Sequence, residues 1–470
     1  MNFPFSSLKD RPLTIRKRHK VLLIRDVFPL AWPIFIELLC VVLMGIISTI
    51  LVSRLGQAQT AAIGISDSFT YIMYSVLAAI ELGGTVIVAQ SYGRRNSEQA
   101  IDQARQTISL NTLIAVLFLV VVVLGGKPLL EVVAYGAEPE VIHLAEVYLA
   151  SMALSYPALA ITLAGSGVLR AVGNSKLPMR VNILTNLLNI AFSYPLIYGV
   201  GDWQGWGLLG AGLGVSLARW VGAGIILAYL AKNSRFVIPF KLYFTQFSRK
   251  TLSDILGIGI PASVESLMFN IGKMITILMV AGMGTVAMAG NVIAFSIILM
   301  INIPGNTLGM AATVIVGKRL GQNRPKMAQQ ELMLIFVAST ILLVVSTLLF
   351  VPFIHQIAQL YTSEESVIDV VVNLFYLNAL FMPIWAASFV LPAAFKGAKD
   401  VKFTMWAAII SMWGCRICCG YLFGVVLGFG VYGVWIGMFS DWIVRGSLFF
   451  IRLSKQKWLA RYYRDNTTIS

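Results

Sequence analysis

The sequence predicts an all-α polytopic membrane protein, with twelve transmembrane helices in two six-helix lobes related by a pseudo-two-fold axis along the membrane normal. Three observations lead there. Of 470 residues, 58% are hydrophobic and only 12% charged, with a mean hydropathy of +0.80. Apolar runs of about 20 residues, long enough to cross a ~30 Å hydrocarbon layer, recur along the whole chain. Landmarks of the first half return in the second at a nearly constant spacing.

The chain opens on a polar, basic arm, 1–27, containing Arg16, Lys17, Arg18 and Lys20. It is read as a cytoplasmic segment rather than a cleaved leader, because the first apolar run is long enough to span. An N-lobe, 28–231, carries runs near 28–53, 61–88, 108–125, 144–168, 181–200 and 208–231. A basic linker, 232–253, precedes a C-lobe, 254–451, with runs near 254–282, 286–316, 330–354, 367–393, 404–426 and 428–451. A basic tail, 452–470, closes the chain. The runs are continuous rather than alternating every second residue, so each must satisfy its own backbone as a helix and not as a strand of a barrel.

The formal net charge of +15 invites a nucleic-acid reading, but its distribution opposes it. With the N-terminus in the cytoplasm, the inner segments hold 30 Lys and Arg residues and the outer loops two, Arg54 and Lys127. Arg219, Lys273, Arg416 and Arg445 fall within or beside helices. This is the positive-inside bias, which puts both termini in the cytoplasm and makes lipid headgroups the partner of the basic arm. Cys40, Cys415, Cys418 and Cys419 read as packing residues, with no zinc-type ligand set near them. A functional monomer without nucleic acid is the expectation.

The repeat is most informative at two glutamates. Pro33-Ile-Phe-Ile-Glu37 and Pro261-Ala-Ser-Val-Glu265 lie 228 residues apart, as do Gly56 and Gly284, and Thr85-Val-Ile-Val88 and Thr313-Val-Ile-Val316. After the fourth and tenth helices, Leu169-Arg-Ala-Val-Gly-Asn174 answers Phe395-Lys-Gly-Ala-Lys-Asp400 at an offset of 226. A carboxylate inside a membrane costs roughly 2–4 kcal/mol, so acids kept at equivalent places in two lobes point to cation or proton coupling. Nine residues into its helix, or about 14 Å, Glu37 is placed near mid-membrane, and Glu265 likewise. Glu81 has Gly309 as its counterpart and reads either as a further ion ligand or as an acceptor for a neighbouring hydroxyl. Lys273 reads either as the counter-ion of Glu265 or as a charge facing a wet cleft. Asp441 and Arg445 have the spacing of an intrahelical ion pair.

Asn182, Asn186, Asn189 and Ser193 form one polar stripe on the fifth helix, facing a water-filled cleft or partner helices. Asn302 and Asn306 flank Pro304 on the eighth. The candidate substrate cleft is therefore Asn186, Asn189, Ser193, Lys273, Asn302 and Asn306, and the candidate coupling set Glu265, Glu37 and Glu81. No nucleotide-binding loop occurs, and the three histidines, His19, His143 and His355, form no acid–base or metal set. This argues against an ATP-driven pump and against a membrane-embedded enzyme.

These landmarks together resemble the multidrug and toxic compound extrusion family. Leu30-Ala-Trp-Pro33, Gln90-Ser-Tyr-Gly-Arg-Arg-Asn96, its echo Gly317-Lys-Arg-Leu-Gly-Gln-Asn323, the two 169–174 and 395–400 segments, and Asn189-Ile-Ala-Phe-Ser-Tyr-Pro-Leu-Ile-Tyr-Gly199 occur in the family's order. The resemblance implies a two-lobe antiporter exporting cationic or aromatic small molecules against H⁺ or Na⁺, with no other cofactor. A lipid-linked precursor flippase of the same broad superfamily is the alternative. Glu265 matches a cation ligand of one branch, where Na⁺ is a candidate. Ser48 and Ser193 stand where another branch has aspartates, and no acid lies between Val370 and Pro392 on the tenth helix.

Overall fold

A computed structural model describes residues 23–133, 138–232, 236–238, 243 and 247–467. Residues 1–22 of the basic arm and much of the linker lie outside the described residues. The described chain is helical almost throughout. Its helices are α1 (Phe28–Ser53), α2 (Gln57–Gly93), α3 (Ser97–Val133), α4 in two pieces (Pro139–Ala153 and Tyr156–Ala171), α5 (Lys176–Tyr198) and α6 (Gly207–Lys232). There follow α7 (Arg249–Ala281), α8 in two pieces (Thr285–Ile301 and Ile303–Gly321), α9 (Pro325–Phe350), α10 (Glu365–Gly397), α11 (Val401–Val426) and α12 (Gly430–Ser454), with a short α13 (Ala460–Thr467).

Among the described residues nine helices are individually long and apolar enough to cross a membrane, and the two pairs bent by 48° in α4 and α8 bring the number to eleven. The twelfth is α5, whose 23 residues reach about 34 Å. Its asparagine stripe lowers its hydropathy without shortening it. Pro157 and Pro304 each sit in the first turn of the second piece of their helix, where a proline lacks no needed N–H. Large aliphatic side chains such as Leu117, Leu124, Leu348 and Leu380 are left exposed, as a lipid-facing surface requires.

The duplication is visible in the backbone. Gly56 and Gly284 precede α2 and α8 with φ of 135° and 104°, a region that only glycine enters freely. Arg95 and Asn323, again 228 apart, take left-handed φ of 63° and 56° after those helices. Within each lobe the second helix packs on the third and fourth, the fourth on the sixth, and the fifth on the sixth and first.

Between the lobes, α2 packs on α7, α1 on α8, and α2 on α8. The crossing is reciprocal. Leu30, Ala31 and Ile34 at the start of α1 are buried in the C-lobe core, while Ile255, Ile258 and Ala262 at the start of α7 are buried in the N-lobe core. The contacts concentrate at one end of the molecule, and small residues permit them. A Cβ on Gly83 would meet the Ile255 carbonyl, one on Gly93 the Lys318 carbonyl, and one on Gly321 the Gln90 carbonyl. Gln90 Nε2 donates to the Gly397 carbonyl at 3.0 Å across the same seam. Arg319 binds Glu331 at 2.6 Å and reaches Asp26, just ahead of α1, at 2.8 Å. The lobes are thus sealed at the end carrying the start of α1 and the end of α2.

Gly93→Leu and Gly321→Leu are expected to weaken this sealed packing by about 1–3 kcal/mol, the usual cost of overfilling a close contact. Distances between spin labels on α2 and α8 at that end should lengthen in both variants, while a control Gly224→Leu, where no atom lies within 4 Å of the added Cβ, should leave them unchanged.

Candidate functional site

Each repeated glutamate is paired with a cation from the fourth helix of its own lobe. In the N-lobe, Arg170, the last residue but one of α4, donates from Nη1 to Glu37 Oε1 and Oε2 at 3.2 and 3.3 Å. Its Nη2 donates to Glu81 Oε1 on α2 at 3.3 Å. The Thr85 hydroxyl donates to the same Glu81 oxygen at 2.8 Å, one helical turn on. Gly167, one turn before Arg170, makes the space: a Cβ there would overlap the Glu81 carboxylate and the Thr85 hydroxyl. The Arg170 side chain is 5% exposed, Glu37 14% and Glu81 12%. Two carboxylates around one guanidinium leave one negative charge over when both are ionised.

In the C-lobe, Lys396 Nζ donates to Glu265 Oε1 at 2.9 Å, and the Thr404 hydroxyl of α11 to Oε2 at 3.3 Å. Lys396 is the last residue but one of α10 and answers Arg170 at the 226 offset. Here one acid meets one base and the charges balance. The partner of Glu265 is therefore Lys396 and not Lys273.

Arg170 and Lys396 are two of the 30 basic residues that the charge distribution places in the inner segments. The structure puts both inside their helices, where each pairs with the repeated glutamate of its own lobe. A readable signal was present: a basic residue stands at the same place in 169–174 and 395–400, in register with a repeated acid.

The remaining candidates do not converge on the acids. On α5, Asn186 Nδ2 donates to Asn182 Oδ1 at 3.1 Å and to the Cys40 carbonyl of α1 at 3.4 Å. Ser193 is buried against Gly214 of α6 and donates to Asn189 Oδ1 at 2.8 Å. Asn186 and Ser193 thus join helices. Asn189 is half-buried, Asn306 is exposed, and Asn302 is buried at the break in α8 with its Oδ1 unpartnered. Lys273 lies over the Phe295 ring, 5.5 Å from its centroid. It lines a narrow pocket with Thr276, Asn291, Arg416 and Trp435. Asp441 and Arg445 form the intrahelical pair at 2.8 Å, and Arg416 approaches the same Asp441 oxygen at 3.9 Å. The two guanidiniums stack over Phe269, and Arg445 also over Phe389 at 4.6 Å.

A two-lobe bundle of twelve membrane helices with internal ion pairs at equivalent positions defines a polytopic membrane transporter. The MatE family pattern matches residues 33–195 and 261–422, one stretch in each half, and the chain belongs to this family. It is 28% identical to the uncharacterized transporter YisQ of Bacillus subtilis over 93% of this chain and 95% of that one. It is 25% identical to the probable multidrug resistance protein NorM of Thermotoga maritima, over 93% of each. A solved MATE in its straight conformation superposes with a TM-score of 0.86 at 21% identity, covering 94% of this chain and 99% of that one.

Removing one member of a buried pair leaves a charge without a partner, a loss of about 3–5 kcal/mol. Arg170→Ala is expected to lose that much in SDS-induced unfolding of the purified protein. Arg170→Ala combined with Glu37→Gln should recover part of it, because one orphaned carboxylate is then neutral.

Proposed function

We propose that the protein is a secondary active exporter of small organic compounds, an antiporter whose N-lobe takes up the coupling ion at Glu37, Arg170 and Glu81. The observation that carries this reading is the imbalance between the lobes: the N-lobe cluster holds two acids to one base, the C-lobe pair one to one. Relatives are multidrug resistance proteins, which supports a drug-like cargo. The coupling ion is assigned as H⁺. A bound Na⁺ needs a shell of several oxygens, and besides the carboxylates this cluster offers the Thr85 hydroxyl. Glu265, already neutralised by Lys396, is assigned to holding α7 in place.

The cluster also connects ion binding to the lobes. Glu37 sits on α1, whose first turns are buried in the C-lobe, and Glu81 sits two residues before Gly83, the contact of α2 with α7. Protonating a carboxylate removes its charge and weakens its hold on Arg170. That changes how α1 and α2 seat against the other lobe, so the sealed end opens as the opposite end closes. Alternating access then needs two packings of one interface. The sealed end faces the cytoplasm of a bacterial inner membrane, following the 30-to-2 distribution of basic residues.

In everted vesicles holding a preset pH gradient, a transported compound should dissipate the gradient with the wild-type protein and not with Glu37→Gln or Glu81→Gln. Glu265→Gln should still exchange protons, at a lower rate. Wild-type behaviour of the Glu81→Gln and Glu37→Gln vesicles would remove the N-lobe cluster from coupling, and dissipation of a Na⁺ gradient instead would reassign the ion. Single cysteines placed at 126 and 360 in a background lacking the four native cysteines should react with an impermeant reagent outside intact cells, and one at 250 should not.

A further inference from the structure

A further pair of charges stands in the N-lobe at the end opposite the sealed one, where the coupling reading does not use it. In α3 the backbone leaves the helix at Gly125, with φ −131° and ψ 16°. Three residues on, Pro128 has no N–H to give the Leu124 carbonyl, so the helical ladder loses a bond there. A cavity of about 170 Å³ lies at this bend, between α3 and α4. It has room for several waters. Its walls are apolar at Val122, Leu149 and Ala150, and it carries two charges, Lys127 from α3 and Glu146 from α4. Lys127 is exposed and Glu146 half-buried. Neither forms an ion pair or a hydrogen bond with another described residue.

The rim of this cavity belongs to the lipid-facing surface. Val123 and Leu124, 61% and 81% exposed, continue the run of exposed Leu113, Leu117 and Val120 along α3. The 37 residues of α3 reach about 55 Å along its length, well beyond a ~30 Å hydrocarbon layer, so its last turns stand at headgroup level. Glu146 lies about 10 Å from the start of α4, at a matching depth. The charges are not part of the duplicated frame. Glu138 and Glu364 precede α4 and α10 at the 226 offset, and at that offset Lys127 and Glu146 answer Phe353 and Val372. The C-lobe chain also changes helix type there, at Val351–Phe353, with apolar side chains. The bend therefore does not require the charges. An unpaired carboxylate in a membrane is costly, and a cation that meets it offsets the cost.

We propose that this cavity binds the headgroup of an outer-leaflet phospholipid that carries a phosphate and a terminal primary ammonium. Lys127 donates to the phosphate, and Glu146 accepts from the ammonium. The acyl chains run down the exposed aliphatic face of α3, past Val123 and Leu124. A base and an acid that share one cavity without pairing match a headgroup with both charges. A simple anion or cation would leave one of them unanswered. A primary ammonium is favoured over a trimethylated one because a carboxylate accepts hydrogen bonds from N–H, which the trimethylated nitrogen lacks. The exporter reading enters only through the orientation, which names the leaflet; binding involves neither the gradient nor the N-lobe cluster.

Native mass spectrometry of the purified protein reads lipid retention directly. Phosphatidylethanolamine, phosphatidylcholine and phosphatidylglycerol with identical acyl chains are titrated in turn. Phosphatidylethanolamine should bind about tenfold more tightly than either of the others, the worth of one charged hydrogen bond. Glu146→Gln should bring it down to the phosphatidylcholine level. Lys127→Gln should weaken it by about tenfold, while Lys127→Arg, which keeps a phosphate donor, should stay within about threefold of wild type. Arg54→Gln removes the other outer basic residue and should change nothing. Neither Lys127 nor Glu146 is fully buried, so their variants should unfold in lipid-free detergent as wild type does. Glu81→Gln should retain phosphatidylethanolamine as wild type does, which separates this proposal from the coupling assignment. Phosphatidylcholine or phosphatidylglycerol binding as tightly as phosphatidylethanolamine would overturn it. So would a preference that survives Glu146→Gln, or retention unchanged in Lys127→Gln.

Discussion

Two largely buried ion pairs, Glu37 with Arg170 and Glu265 with Lys396, hold to their home lobes the two helices that cross into the other. A glutamate inside a membrane helix is costly without a cation to meet it, and here the fourth helix of the lobe supplies that cation from its last turn. The consequence is positional. The helices so held, α1 and α7, are the ones whose first turns leave their own lobe and bury in the other. The pair fixes the upper part of each crossing helix to its home lobe while the lower part belongs to the neighbour. A change at the pair is therefore felt at the seam.

The seam is made of backbone brought close to backbone. Gly83, Gly93 and Gly321 let helices approach within the space a methyl would occupy, and Gln90 donates directly to the Gly397 carbonyl across it. Such contacts bury little side-chain volume, so two alternative packings of the same surfaces can lie close in energy. Arg319, anchored within the C-lobe by the fully buried Glu331, reaches across to Asp26, whose side chain is partly exposed, so water weakens the bond that joins the lobes more than the one that anchors it.

Duplication gave both lobes the same frame, and divergence gave them opposite charge. Glu81 stands on α2 of the N-lobe where the C-lobe has Gly309, and makes the N-lobe pair an acidic cluster. Lys273, Arg416 and Arg445 of the C-lobe stand where the N-lobe has Gly45, Ile190 and Gly222, and outnumber the one acid beside them, Asp441. A ligand that meets the two lobes differently can bias a rocking equilibrium between them. Differential binding to its two states is all that exchange requires.

The sequence by itself determined the class of fold, because length and hydropathy of a run decide whether it crosses a bilayer, and because duplicated segments such as Gly56 and Gly284, or Arg95 and Asn323, impose the same turns twice. It also marked Glu37 and Glu265 through their common register, and Asp441 with Arg445 through their spacing of four. It misplaced Arg170 and Lys396, since a basic residue in the last turn of a helix looks the same on paper whether it points to headgroups or back into the bundle. The choice between Lys396 and Lys273 as partner of Glu265 was decided only by tertiary structure. Lys273 lies two turns away along one helix, while Lys396 comes from another helix altogether, and only packing brings that side chain within 2.9 Å. The same holds for the basic pocket of the C-lobe. Its two cations, Lys273 and Arg416, come from α7 and α11, 143 residues apart along the chain, and no local pattern in the sequence brings them together.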